Sequence, residues 1–192
     1  MRRALIALTV FCLPYPALAG PEWLVDHDKS SLAIALMANG GDMKGVFEDW
    51  DASIHFDPED PSDADILIEI EIDSLDLGQS AANTTATDAP WLDSDEHPTA
   101  EFRAESMDWD DEGNFELPGT LKLRGVEAPI TLKGTLIIDG DAAEVSGEGT
   151  IVRVDHGVGA NDESVSDVSV LISIIAQRSE GVSGVEENSP AH

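Results

Sequence analysis

ILIEIEID, residues 66–73, is the stretch that decides the fold. Ile66, Ile68, Ile70 and Ile72 fall on one side of an extended chain, and Glu69, Glu71 and Asp73 on the other; Leu67 is the exception. Successive side chains of a strand point to opposite faces, so this alternation predicts a strand with one dry and one wet face. The same habit recurs along the chain. In 31–38, Leu32, Ile34 and Leu36 share a side opposite Ala33, Ala35 and Met37. Ile54 and Phe56 align in 53–56, and Phe102 lies between Ala100 and Ala104 in 100–106. Leu121 and Leu123 pair, then Ile130, Leu132, Leu136 and Ile138. Residues 145–154 read as one more strand, and 166–176 close the set with Val168, Val170, Ile172 and Ile174. Turn signals separate these runs: Asn39-Gly40-Gly41, Asp57-Pro58, Glu112-Gly113, Pro118-Gly119 and Asp139-Gly140. Asp139-Gly140 reads as a two-residue hairpin. Only 79–96, rich in Ala, Thr and Asp, lacks alternation; it predicts a short helix or loop capping one end of the sheet.

Many antiparallel strands with one polar face each make a sandwich or a barrel. A sandwich presses two inner faces together. A barrel of about eight strands is wide enough for side chains or one small ligand. Periodicity alone leaves the two open, with a dry, filled core as the plainer outcome.

The ends of the chain are of another kind. Arg2 and Arg3 precede an apolar run at 4–13, Pro14 and Pro16 break it, and Ala17-Leu18-Ala19 has the small-residue cleavage pattern. This is the layout of a secretory signal peptide over 1–19, too short in its apolar part to span a bilayer. Its removal takes the lone Cys12, so the mature protein would be indifferent to an oxidising periplasm. The folded domain is expected over 20–178, and 179–192 reads as a flexible tail.

The 192 residues carry 39 acidic and 10 basic side chains, a net charge of −29. That sign disfavours nucleic acid and anionic lipid surfaces, both of which are recognised through Lys and Arg. An apolar content of 42% is too high for a disordered acidic chain.

Four segments resemble the YceI-like family of exported polyisoprenoid-binding proteins. HPTAEFRAES (97–106) is similar to its P-x-a-x-F element, and LPGTLKLRGVEAPITLKGTL (117–136) to its G-x-L-t-x-r-G segment. GEGTIVRVDHGVG (147–159) followed by VSDVSVLISIIAQR (165–178) resembles its C-terminal pattern, and GVFEDWDASIHFDPEDP (45–61) its G-x-F hairpin. The four occur in family order and cover roughly residues 22–178. The resemblance implies an all-β, antiparallel, lipocalin-like barrel with an elongated apolar channel, holding an isoprenoid or other long-chain amphiphile without catalysis. One place departs from it. In DHDKSSLAIALMANGG (26–41), Lys29 stands where the family has a first His, Ile34 where it has Phe, and Ala38 near a second His. Head-group contacts made by those histidines do not carry over, and the lumen beside Ile34 should be roomier.

Catalytic and metal patterns are weak. His27, His55, His97, His156 and His192 form no i, i+2 or i, i+4 pair. Asp108, Asp110, Glu112 and Gly113 match the first positions of a calcium loop, but Gly119 stands where a bidentate Glu is wanted. They read as a solvated hairpin tip. No G-x-S-x-G elbow occurs, and Gly157-Val158-Gly159 lacks the third glycine of a dinucleotide loop. Asp155 and His156, taken as strand neighbours, would point to opposite faces. Arg124 and Arg153 are each expected in an ion pair, Arg153 meeting a ligand head or pinning the barrel end.

The expected function is therefore an exported, periplasmic, non-enzymatic carrier of a polyprenyl or quinone-like molecule, without cofactor, metal or stable membrane insertion. A homodimer is left open. The wall residues are Ile34, Leu36, Phe47, Ile54, Phe56, Ile68, Ile70, Phe102, Leu121, Leu123, Ile130, Leu132, Arg153, Val170 and Ile172. The alternative is an accessory protein acting by contact with a membrane redox or stress system; hydrolase activity is disfavoured.

A charge of −29 repels itself in the compact state, and salt screens it within about 8 Å at 0.15 M. A marine or halotolerant bacterial source fits that balance. The midpoint of thermal unfolding should rise as sodium chloride goes from about 0.05 to about 0.5 M. A flat or falling midpoint would contradict the role given to self-repulsion.

Overall fold

The computed structural model describes residues 20–179. The expected leader and nearly all of the expected tail lie outside the described residues. Twelve strands follow in order: β1 (Trp23–Val25), β2 (Ser31–Ala38), β3 (Gly41–Phe47), β4 (Trp50–Asp57), β5 (Asp60–Glu71), β6 (Leu75–Asp76), β7 (Thr99–Ala104), β8 (Asp108–Trp109), β9 (Asn114–Leu123), β10 (Val126–Asp139), β11 (Ala142–Ile151) and β12 (Val168–Arg178). Among the described residues a single α-helix, α1 (Ser80–Thr87), lies between β6 and β7, inside the stretch expected to cap the sheet.

All pairings are antiparallel, in the order β4-β5-β7-β9-β10-β11-β12-β2-β3-β6, with β1 along β12 and β8 along β9. The antiparallel, lipocalin-like architecture is as expected. The count exceeds the expected figure of about eight: β1, β6 and β8 are pieces of two or three residues, and nine longer strands remain. The ladder also does not close: β4 and β6, the ends of the path, are not paired. The Glu71 N–H, donating to the Asp49 carbonyl at 3.0 Å, extends the β4–β5 ladder by one pair, and the Glu48 N–H, donating to Ser74 at 3.2 Å, extends β3–β6. The open side of β4 is bridged to the β1 segment instead: the Phe56 N–H donates to Pro21 at 3.1 Å, and the buried Trp23 indole N–H to the Phe56 carbonyl at 2.9 Å.

Turn chemistry fixes the registers. Asn39-Gly40 joins Ala38 to Gly41, and Arg124-Gly125 joins Leu123 to Val126. All four turn residues have positive φ, the two-residue turn whose twist matches that of antiparallel strands. Asp139 pairs with Ala142, so the expected hairpin is present with Gly140-Asp141 as its loop. Pro118-Gly119 is a correction: it lies inside β9, opposite Thr131 and Ile130. Proline is tolerated there because β9 has no partner on its other side between the β8 pair at Glu116 and the β7 pair at Thr120. Residues 145–154 are a second correction. The strand ends at Ile151, and Arg153–His156 form a 3-10 turn that aims Arg153 and His156 inward. Asp155 and His156 are therefore not strand neighbours on opposite faces.

The inward row of β11 is Ala143, Val145, Gly147, Gly149 and Ile151. Gly147 pairs with Gly134 of β10, so two strands meet without any Cβ on the concave side. A Cβ on Gly134 would overlap the Ser146 carbonyl, and one on Gly147 would sit 2.9 Å from the Phe115 ring. The sheet curls where these strands approach most closely. Gly134→Ala should therefore cost about 1–3 kcal/mol of stability through overpacking. Gly41→Ala, whose Cβ would lie at an ordinary 3.7 Å from its nearest neighbour, should stay within about 0.5 kcal/mol. Urea unfolding of both variants checks the contrast.

Candidate ligand channel

Curling turns the alternating dry faces into one interior. Its central chamber, about 120 Å³, is walled by β2, β3, β5, β7, β9, β10, β11 and β12, and takes Ile34, Phe47, Ile68, Ile70, Phe102, Leu121, Leu123, Ile130, Leu132, Val170 and Ile172 together. A basal chamber of about 80 Å³ lies against Ile54, Phe56, Trp23 and Phe115. Ile68, Leu132 and Ile172 line both chambers and form the neck between them. A larger mouth of about 490 Å³ opens under α1, against Ile34, Leu36, Leu75, Leu77, Ala81, Ala82, Thr85, Ala86 and Trp91. Ile34, Leu92, Arg153, Val158 and Val168 line both mouth and central chamber. Each of the fifteen residues singled out in the sequence thus lies on the wall of one of three adjoining spaces.

Sequence reasoning missed the mouth. Leu75, Leu77, Trp91, Leu92 and Val158 come from segments without alternation, so period two gives no signal for them. Ile66, Leu136, Ile138 and Ile174 were on the alternating rows but were not named as wall residues; they line the base.

Among the described residues Arg153 is the only charged group on the central chamber's wall. It is 5% exposed and has no carboxylate partner among the described residues, contrary to the expected ion pair. Its Nε–H lies 3.1 Å from the Val165 carbonyl and 3.2 Å from that of Ser166. Nη1 donates to Val158 at 2.9 Å and Gly159 at 2.5 Å; Nη2 donates to Val165 at 2.7 Å and to Asp162. A buried cation needs hydrogen-bonded compensation, and here main-chain carbonyls of the 157–167 loop supply it. Arg153 pins that loop over the barrel end. Arg124 does similar work from the β9–β10 turn, donating to Gly157 and Ala89 carbonyls at 2.6 Å each and lying 3.4 Å from Asp93. The His156 Nδ1–H, facing the Val126 carbonyl at 2.9 Å, donates to it and fixes the 3-10 turn to the start of β10.

Ser166 and Asn39 join the same loop to the β2–β3 hairpin. The Met37 N–H donates to the Ser166 hydroxyl at 3.0 Å, and the Asn39 N–H to the Ser164 carbonyl at 3.0 Å. By contrast α1 has no buried residue and is held mainly through Asn83, whose Oδ1 accepts the Leu77 N–H at 2.8 Å. Elsewhere, Asp110 accepts bonds from the Glu112 and Asn114 main chain and the Asn114 side chain, closing the β8–β9 tip. The Asn114 amide, first among these contacts, holds the Asp110 carboxyl below its usual range. Lys29 is exposed and pairs with Asp26 at 2.5 Å. Ile34 and Ala38, at the other departures from the family pattern, line the mouth.

A curled antiparallel sheet enclosing an apolar, adjoining series of chambers defines a lipocalin-like binding barrel. The YceI-like domain family matches residues 23–176, and the chain belongs to that family. Among curated relatives, a UPF0312 protein of Pectobacterium atrosepticum is 28% identical over 137 residues, covering 68% of this chain and 71% of its own length. Protein YceI of Escherichia coli O17:K52:H18 gives the same identity and coverage. Burkholderia cenocepacia BcnA shares the fold with a TM-score of 0.72 at 22% identity, over 79% of this chain and 98% of its own. A polyisoprenoid binding domain from Saccharophagus degradans, implicated in plant cell wall breakdown, superposes with a TM-score of 0.64 at 14% identity, over 85% of this chain and all of its own.

Arg153→Met should leave several buried carbonyls of the 157–167 loop unpaired, each at about 1–3 kcal/mol. Expected results are a lower urea midpoint and new protease cleavage within 157–167 in native buffer. Arg153→Lys, with three donors, should fall between the two.

Proposed function

We propose that the chain is an exported, non-catalytic carrier that shelters a long apolar chain of isoprenoid type, polyprenyl or quinone-like, in the barrel. The carrying observation is the largely apolar wall shared by mouth, central chamber and base, to which eleven strands contribute. The polyisoprenoid binding domain from Saccharophagus degradans, similar in fold, supports the same reading. The leader-like residues 1–19 support export to the periplasm. Among the described residues no helix is long and apolar enough to cross a membrane.

Burying an apolar tail is favourable by about 25 cal/mol per Å². The mouth volume falls within the range of roughly 300–1,000 Å³ typical of ligand sites, while the two inner chambers are slender. The bulky end of the ligand belongs in the mouth and the tail in the chambers.

Native mass spectrometry after mild purification should show a co-purified hydrophobic molecule, and organic extraction should release it. Ile68→Trp, at the neck, should abolish uptake of an added polyprenol. Ala33→Trp, on the outer face of β2, should not. A clean ligand-free mass in repeated preparations, together with no uptake by the native sequence, would overturn the carrier reading. Loss of a cellular phenotype in Ala33→Trp but not in Ile68→Trp would favour an accessory protein acting by contact.

A further inference from the structure

Three segments frame the mouth: the β2–β3 turn, the stretch 79–97 that contains α1, and the loop 157–167. Between them they carry Asp88, Asp93, Asp95, Glu96, Asp162, Glu163 and Asp167, and no Lys or Arg. Asp42 and Lys44, next along the chain, pair with Met37 and Ala35 on the outer face of the barrel. Two cations reach the mouth from other elements, and neither has capacity to spare. A guanidinium has five N–H donors and no acceptor. Those of Arg153 are directed at the carbonyls of Val158, Gly159, Asp162, Val165 and Ser166. Arg124 is taken up by Gly157, Ala89 and Asp93.

The polar side chains left on the mouth wall are Asn39, Thr85, Asp162 and Trp91, whose indole N–H has no partner among the described residues. Thr85 donates its hydroxyl hydrogen to the Ala81 carbonyl at 2.9 Å, which leaves its oxygen as an acceptor only. Asp162 accepts the Ser164 hydroxyl at 2.6 Å and the Ser164 N–H at 2.9 Å through Oδ1; Oδ2 has no partner among the described residues. Those bonds, the hydroxyl's first, and after them the charge of Arg153 hold its carboxyl below the usual range, so it is ionised at neutral pH. Asn39 adds one neutral amide, its side chain 3.3 Å from the Ser164 oxygen, whose single hydrogen goes to Asp162. The wall therefore offers acceptors, the Asp162 carboxylate and two neutral donors, the Asn39 amide and the Trp91 indole, beside an Arg153 guanidinium whose N–H groups are already taken.

We propose that the mouth selects amphiphiles whose head is a neutral or cationic hydrogen-bond donor (an alcohol, an amide or an amine) and rejects heads that are phosphates or carboxylates. An anionic head would meet the Asp162 carboxylate and the acidic rim with no free N–H from either arginine. The proposal rests on the carrier reading and adds the chemistry of the head.

The test holds the tail constant. Farnesol, farnesylamine and farnesyl phosphate are compared by displacement of a bound apolar fluorophore, each below its aggregation threshold. Farnesylamine and farnesol should bind at least about tenfold more tightly than farnesyl phosphate at low salt. The gap between amine and phosphate should narrow as salt rises and in Asp162→Asn, which keeps an oxygen for Ser164. Should Asp162→Asn fail to fold, the salt series on the native sequence decides alone. Equal binding of all three heads, or a preference for phosphate, would overturn the head-group proposal and leave the carrier reading intact. No displacement by any of them would overturn both.

Discussion

A sheet of ten successive neighbours hides one face only by curling, and curling crowds the concave side. In this protein the crowding is relieved at Gly134 and Gly147, which face each other across β10 and β11. Where no Cβ stands, the side chains of adjacent strands lie over bare backbone: Phe115 and Ile172 against Gly147, Leu132 and Ile130 against Gly149. The same close approach brings the walls within reach of one another at Ile68, Leu132 and Ile172, where the interior narrows to a neck. Curvature and channel girth are consequences of one steric arrangement. A bulkier residue on the concave side would open the sheet before it widened the channel.

The open end depends on a different balance. The 157–167 loop holds Asp162, Glu163 and Asp167, with only Val158 and Val165 among its buried apolar residues. It has too little apolar surface to dock by burial alone. Arg153 replaces that missing burial with directed bonds, and the loop in turn solvates a charge that would be prohibitive if buried alone. Trp91 packs onto Gly159, whose N–H donates to the Pro90 carbonyl at 2.9 Å, so the loop also holds down the segment after α1. The side of the mouth under α1 has no comparable anchor. The rim is bound by many directed bonds on the Arg153 side and by fewer on the helix side.

Most of the fold was legible because it rests on alternation, and alternation survives in a chain with −29 net charge: the acids occupy the wet face. Ile66, Ile68, Ile70 and Ile72 are on the inner side as the sequence implies, even though Ile72 sits in a 3-10 turn beyond the end of β5. Pro118-Gly119 misled because both residues are turn formers. What places them inside β9 is tertiary: a gap in the neighbouring ladder accepts the proline, and the Phe102 ring lies where a Cβ of Gly119 would be. The ion pair expected of Arg153 failed for a related reason. Sequence counts carboxylates but does not show that a loop of the same chain will turn its carbonyls inward. The mouth, assembled from a helix, a turn and a loop, has no period to read.

Selection in such a protein divides between two kinds of force. Apolar burial is non-directional and responds to length and girth. The neck at Ile68, Leu132 and Ile172 therefore discriminates against thick or rigid tails and says nothing about the head. The head meets the mouth, where hydrogen bonds and charge have direction. With the guanidinium of Arg153 fully engaged by its own loop, the one cation at the junction of mouth and chamber serves the fold. An anionic head placed there would have to break bonds that hold the rim in place, and binding would then be coupled to loosening the end of the barrel. The same carbonyl cage that stabilises the rim thus sets the sign of the charge the channel can accept.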